Sequence, residues 1–163
     1  YFPDRWIHVG FSITVYQDAP KRWRVKMFVD GRLVAARYVP GDLFSVSAET
    51  VKRVRGLFRR NERLALHFDT PLGPAALIFV GALNVGSIST PWTGEIRPRS
   101  TGVVEALDIS AHSAEVQKGD LLGWFNMGST VIVLLPAASA RWDDQVQHLS
   151  PVSMGQSLGA PAR

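Results

Sequence analysis

The chain has 163 residues, 46% of them hydrophobic and 20% charged, a balance that builds one folded domain and argues against intrinsic disorder. It contains no cysteine, which excludes a disulfide framework, a zinc knuckle, an iron–sulfur site and a thiol nucleophile. Net charge is +4 and unevenly placed: residues 21–63 hold twelve of the eighteen Lys and Arg against four acids, which points to a polyanionic partner, either nucleic acid or an anionic membrane surface.

The longest apolar runs, residues 74–83 and 131–138, fall well short of a spanning helix. The chain opens at Tyr1 with neither methionine nor signal peptide, as a fragment or a processing product would. Residues 7–16 and 24–38 are expected strands, the second broken by the turn signal Asp30-Gly31. Val39-Pro40-Gly41-Asp42 reads as a tight turn. Ser47 is placed to cap a helix over residues 48–60, with Glu49 in its first turn. Val51, Val54, Leu57 and Phe58 follow helical spacing, while Lys52, Arg53, Arg55, Arg59 and Arg60 crowd the remaining surface. A basic amphipathic helix of this kind either packs its stripe on the core or lies on an anionic bilayer, and Gly56 weakens it in both cases.

Beyond Asn61 the chain reads as β structure. Residues 63–68 and 75–81 flank the turn 69–74, and residues 85–90, 94–98 and 103–109 are shorter strands. Lys118-Gly119-Asp120 is another turn, residues 124–125 and 130–135 are the last strong strands, and the tail from Ala137 is polar and rich in Pro and Gly. Many short strands and one helix predict a mainly β (α+β) fold: a single compact antiparallel barrel or sandwich-like domain over residues 1–163.

Most catalytic signatures are missing. There is no phosphate-binding GxxxxGK[ST] loop, no GxGxxG fingerprint, no HExxH pair and no GxSxG elbow. His8, His67, His112 and His148 are scattered without metal-ligand spacing, so no metal is expected, and Asp143-Asp144 reads as a solvated turn. Trp23, Phe28 and Tyr38 accompany the basic stretch, but no nucleic-acid recognition motif does, and nucleic acid is set aside as a partner.

One segment carries chemistry: Gly123-Trp124-Phe125-Asn126-Met127-Gly128-Ser129-Thr130, leading into Val131-Ile132-Val133-Leu134-Leu135. At a bend into a buried strand, the Ser129 hydroxyl can attack the Gly128 carbonyl, and Gly128 leaves room for the strain this requires. The acyl group moves from nitrogen to oxygen, β-elimination breaks the chain, and hydrolysis of the dehydroalanine leaves a pyruvoyl group in place of Ser129. Alone, Gly-Ser-Thr is most often only a turn.

The segment resembles the processing motif of the phosphatidylserine decarboxylases, Gly-x-Phe-x-x-Gly-Ser-Thr-Val. Five further segments resemble the family in the same order: Tyr38-Val-Pro-Gly-Asp-Leu-Phe-Ser-Val46, Phe58-Arg-Arg-Asn-Glu-Arg63, Phe68-Asp-Thr-Pro-Leu-Gly-Pro74, Val80-Gly-Ala-Leu-Asn-Val-Gly-Ser-Ile88 and Lys118-Gly-Asp120. Together they cover roughly residues 30–157, far more specifically than any one of them does. The resemblance implies self-cleavage at Gly128–Ser129 into a β chain, 1–128, and an α chain, 129–163, with the pyruvoyl cofactor formed from Ser129. It further implies an enzyme that decarboxylates phosphatidylserine to phosphatidylethanolamine, its carbonyl serving as an electron sink. The substrate is an anionic lipid, so the resemblance makes Lys52, Arg53, Arg55, Arg59 and Arg60 a docking surface for an anionic phospholipid membrane. The expected location is peripheral, on the cytoplasmic face of a bacterial inner membrane, and a homodimer is compatible with it.

Two departures from the family pattern stand out. The family's His-x-x-His-x-Pro motif falls on Trp23, Lys26 and Phe28, and nothing here matches the upstream segment that holds the aspartate of the Asp-His-Ser triad. Ser129 is therefore the one triad member carried over, and the upstream family region is expected to be absent. Lys26 is a candidate base if burial lowers its pKa, with His67 and His112 as alternatives. Two outcomes follow: a competent decarboxylase, or an impaired family member that binds anionic phospholipid without cleavage. The state of the Gly128–Ser129 bond separates them.

Overall fold

Alternation of half-buried and buried positions over residues 63–68 of Arg63–Thr70 (β4) turns Leu64, Leu66 and Phe68 toward one side, and this pattern sets the frame of the molecule. The computed structural model describes residues 6–11, 23–26, 30–83, 85, 87–99, 102–126, 129–147, 150–153 and 156–162, the first two stretches as backbone only. Gly31–Val39 (β3) and Gly73–Val80 (β5) flank β4 antiparallel, the β4–β5 hairpin turning at Pro71-Leu72 as the sequence predicts. Thr130–Pro136 (β11) pairs with β5, and Trp6–Phe11 (β1) lies on its other edge. Glu105–Leu107 (β8) and the short Glu115–Val116 (β9), which the sequence did not signal, both pair with β3.

A second sheet is built from Trp23–Lys26 (β2), Leu121–Phe125 (β10), Ile88–Thr90 (β6) and Gly94–Ile96 (β7), in the order β2-β10-β6-β7. Both sheets feed one core, in which Tyr38, Leu64, Phe79, Leu122 and Phe125 are sealed from solvent. The rings of Phe79 (β5) and Phe125 (β10) meet across it, centroids 5.4 Å apart and tilted by 59°, a favoured aromatic geometry. The mainly β expectation holds in its sandwich-like form; neither sheet closes into a barrel among the described residues.

Four local expectations need correction. Residues 24–38 are not one broken strand: β2 and β3 belong to different sheets, and residues 27–29 and 12–16 lie outside the described set. Residues 39–42 are not a tight turn. Asp42 instead runs parallel to Asn61, its amide donating to the Arg60 carbonyl at 2.8 Å and its carbonyl accepting from Glu62 at 2.9 Å. That crossing is so close that a Cβ on Gly41 would stand 2.3 Å from the Arg60 carbonyl oxygen.

The helix over 48–60 is two helices, Ala48–Arg53 (α1) and Leu57–Arg60 (α2). Ser47 caps α1 as expected, its Oγ accepting from the Thr50 amide. Val54 is extended, and Gly56 adopts a left-handed φ of 68° that favours glycine and ends the helical path. Of the four stripe residues, only Leu57 is fully buried. The tail, finally, is not featureless: Ala140–Trp142 (β12) and Gly159–Pro161 (β13) form a small antiparallel pair. No helix among the described residues is long and apolar enough to cross a membrane.

Candidate active site

The sheet ladder places Ser129. Thr130 opens β11 opposite Val80, and Val80 in turn lies opposite Arg63 at the start of β4. One residue earlier, the half-buried Ser129 donates its hydroxyl hydrogen to the Val80 carbonyl at 2.6 Å. Three residues earlier still, the exposed Asn126 donates its Nδ2–H to the hydroxyl of buried Ser87. Met127 and Gly128 lie outside the described residues. The segment carrying the Gly128–Ser129 bond is thus tied on either side to the connection between β5 and β6.

That connection is itself anchored to two buried polar residues which the sequence placed only inside a family-like segment. The Gly81 amide donates to the Glu62 carbonyl at 2.8 Å. The Asn61 amide group donates to the carbonyls of Gly81 and Phe44, both at 2.8 Å, and its Oδ1 accepts from the Phe44 amide at 3.0 Å. Glu62 is 2% exposed, and its carboxylate accepts the Tyr38 hydroxyl at 2.7 Å. Tyr38 in turn accepts from the Arg99 amide at 2.9 Å, and the Arg99 guanidinium, paired with Glu105, lies over the Tyr38 ring. Burial raises the Glu62 carboxyl above its ordinary range, partly opposed by the Tyr38 hydrogen bond. Burial, then the bond to Glu62, pushes the Tyr38 phenol up to about 12. The one legible signal was polarity: Asn61-Glu62 are two polar residues at the threshold of an apolar strand.

The candidate bases are placed differently. Trp23 lies opposite Phe125, the residue leading toward Ser129, whereas Lys26 lies opposite Leu121 at the other end of β10; its side chain is outside the described set. His67 pairs with Ala76, four residues along β4 from the Arg63–Val80 row, about 13 Å away at strand rise. Its half-burial lowers its pKa, with Arg37 adding to the effect. His112 is exposed in the loop before β9, which pairs at the opposite end of β3.

Lys52, Arg53, Arg55, Arg59 and Arg60 are all exposed. Arg53 pairs with Glu49 at 2.7 Å, and Arg60 pairs with Asp42 at 3.3 Å while lying over the Phe44 ring. Among the described residues, Lys52, Arg55 and Arg59 have no ion-pair partner.

The described geometry of the motif is thus a half-buried Ser129 hydroxyl held on the Val80 carbonyl at the entry to a buried strand. Residues 7–160 match the family model described as phosphatidylserine decarboxylase, and the chain belongs to that family. A phosphatidylserine decarboxylase proenzyme of Methylococcus capsulatus is 45% identical over 151 residues, covering 93% of this chain and 52% of the relative. One of Psychrobacter cryohalolentis is 47% identical over 161 residues, covering 98% and 54%. A third, from Acinetobacter baylyi, is 43% identical over 150 residues, covering 92% and 51%. The chain spans about half the length of these relatives.

Proposed function

We propose that this chain is the self-cleaving portion of a phosphatidylserine decarboxylase, cut between Gly128 and Ser129 into fragments 1–128 and 129–163. The observation that carries the proposal is the hydrogen bond from Ser129 Oγ to the Val80 carbonyl, which fixes the hydroxyl at the head of β11. Oγ attacks the Gly128 carbonyl carbon, and the C–N bond breaks as its nitrogen takes a proton, leaving an ester and a free amine. Loss of the Ser129 α-proton then expels Gly128 as a carboxylate, and water replaces the nitrogen, releasing ammonia. The resulting pyruvoyl carbonyl supplies the electron sink for decarboxylating phosphatidylserine to phosphatidylethanolamine. A half-buried Ser129 between two polar tethers fits such a group, since its precursor is neither sealed in the core nor free in solvent.

The protein's own residues bind and orient. Lys52, Arg55 and Arg59, exposed and without an ion-pair partner among the described residues, are proposed to hold the chain peripherally on anionic lipid. Lys26 is the nitrogen base left at the two positions where the family carries histidines. Its register, opposite Leu121, weighs against a direct reach to Ser129, and Lys26→Met decides the matter: unchanged cleavage removes Lys26 from the mechanism.

The test is intact mass under denaturing conditions, with Ser129→Ala as control. Two fragments meeting at Gly128–Ser129, absent in the control, support the proposal. A single uncut chain across the pH range overturns it and leaves binding of anionic phospholipid without cleavage, which vesicle sedimentation then measures.

A further inference from the structure

Gly81 sits between the peptide that holds Ser129 and the rest of the core, and both of its neighbouring peptide groups are fixed. The Val80 carbonyl and the Gly81 amide belong to one planar unit, so orienting one orients the other. The Gly81 amide is bound to the Glu62 carbonyl at 2.8 Å, which aims the Val80 carbonyl at Ser129. The next peptide is fixed from its other side, because the Gly81 carbonyl accepts from Asn61 Nδ2 at 2.8 Å. Without these bonds a glycine would be the freest hinge in the chain, and the acceptor of the Ser129 hydroxyl would swing with it.

Asn61 is fully buried and uses its Oδ1 and its Nδ2 together. Two of its three bonds close a ring with the Phe44 backbone, which would suffice to tie that segment down. The third goes to Gly81. We infer that Asn61 is a positioning residue for scission at Gly128–Ser129, acting through Gly81 on the Val80 carbonyl; this rests on the self-cleavage proposed above. Asn126 holds the same loop from its other side, on Ser87, seven residues past Val80 along the same connection. Asn61 and Asn126 therefore act on one object and are energetically coupled.

The experiment measures the first-order appearance of the two fragments in wild type, Asn61→Ala, Asn126→Ala and the double variant, well below each melting temperature. Hydrogen exchange is followed in the peptides covering residues 80–87 and 126–136. Misplacing a reacting group by a fraction of its contact distance slows such reactions about tenfold to hundredfold, and that is expected of folded Asn61→Ala. Asn126→Ala is expected to be about tenfold slower. The double variant should fall short of the product of the two effects, because both act through the same connection. A purely structural role for Asn61 lowers the melting temperature but moves neither the rate of the folded protein nor this coupling.

A folded Asn61→Ala that cuts at the wild-type rate overturns the inference, as do effects that multiply. If Asn61→Ala does not fold, Asn61→Ser, one bond too short to span to Gly81, takes its place. If wild type itself is never cut, the self-cleavage reading fails on its own account, and exchange decides this inference. Faster exchange in both peptides of the Asn61 variant then upholds Asn61 as the residue that fixes Gly81 and the Val80 carbonyl, without a role in scission, and unchanged exchange overturns that as well.

Discussion

Gly81→Ala tests the packing around the site most sharply. The φ of Gly81 lies outside the left-handed region, so the backbone tolerates alanine and the penalty is steric. The added Cβ would stand 2.4 Å from Glu62 Cγ and 2.6 Å from Oε1. Cγ lies too near the backbone to swing aside alone; the whole Glu62 side chain must leave, and with it the bond from Tyr38. Losing a hydrogen bond to a charged group is worth about 1.5–3 kcal/mol, and overpacking a core adds about 1–3 kcal/mol. The sum is about 2.5–6 kcal/mol, or a fall in Tm of roughly 5–24 °C for a chain of this size. The assay is thermal unfolding by circular dichroism in two backgrounds. In Glu62→Ala the space is vacant, so Gly81→Ala should there cost less than about 1 kcal/mol. Equal losses in both backgrounds would refute the steric account.

Tyr38 should keep its phenolic proton to about 12, followed by absorbance during an alkaline titration. Its folded pKa is raised above the ordinary 10.0, so its stabilising contribution is complete below pH 10 and is lost as pH climbs toward about 12; Tyr38→Phe should remove that alkaline sensitivity. A phenol count that is complete by pH 11 without unfolding would contradict this. Ser47→Ala removes the cap of α1 and should lower urea stability by about 0.5–2 kcal/mol, and an unchanged midpoint would mean that the cap is idle. Replacing Lys52, Arg55 and Arg59 together with glutamine should weaken binding to vesicles containing phosphatidylglycerol about hundredfold at low salt, at about 1 kcal/mol per charge. Binding indifferent to both the variant and the salt would sink the membrane-docking role.

What could be read from the sequence was what neighbouring residues decide among themselves. Pro71 and Gly73 mark the β4–β5 hairpin, the apolar segment 63–68 marks β4, and Ser47 marks the start of α1. The helix break was missed because Val54, Leu57 and Phe58 keep helical spacing straight through Gly56, whose left-handed backbone ends the path. The separation of β2 from β3 and the pairing of Ala140 with Pro161 depend on distant partners, which no local pattern encodes. The site divides in the same way. Gly128 and Ser129 stand out as a motif, while Asn61 and Glu62 gain meaning only from Gly81 and Tyr38, 20 and 24 residues away.

The central position of β11 has a consequence for the life of the molecule after a cut. β1 and β5 flank β11, and both precede Gly128 in sequence, so scission would leave a strand of the shorter piece threaded between two strands of the longer. Neither ladder crosses the broken bond, and the native sheet has no reason to open. Denaturation is another matter: refolding would then require two separate chains to meet, at a rate that falls on dilution. A chain cut in this way would assemble reliably only as an intact precursor, and the cut would convert a reversible fold into one preserved by never coming apart.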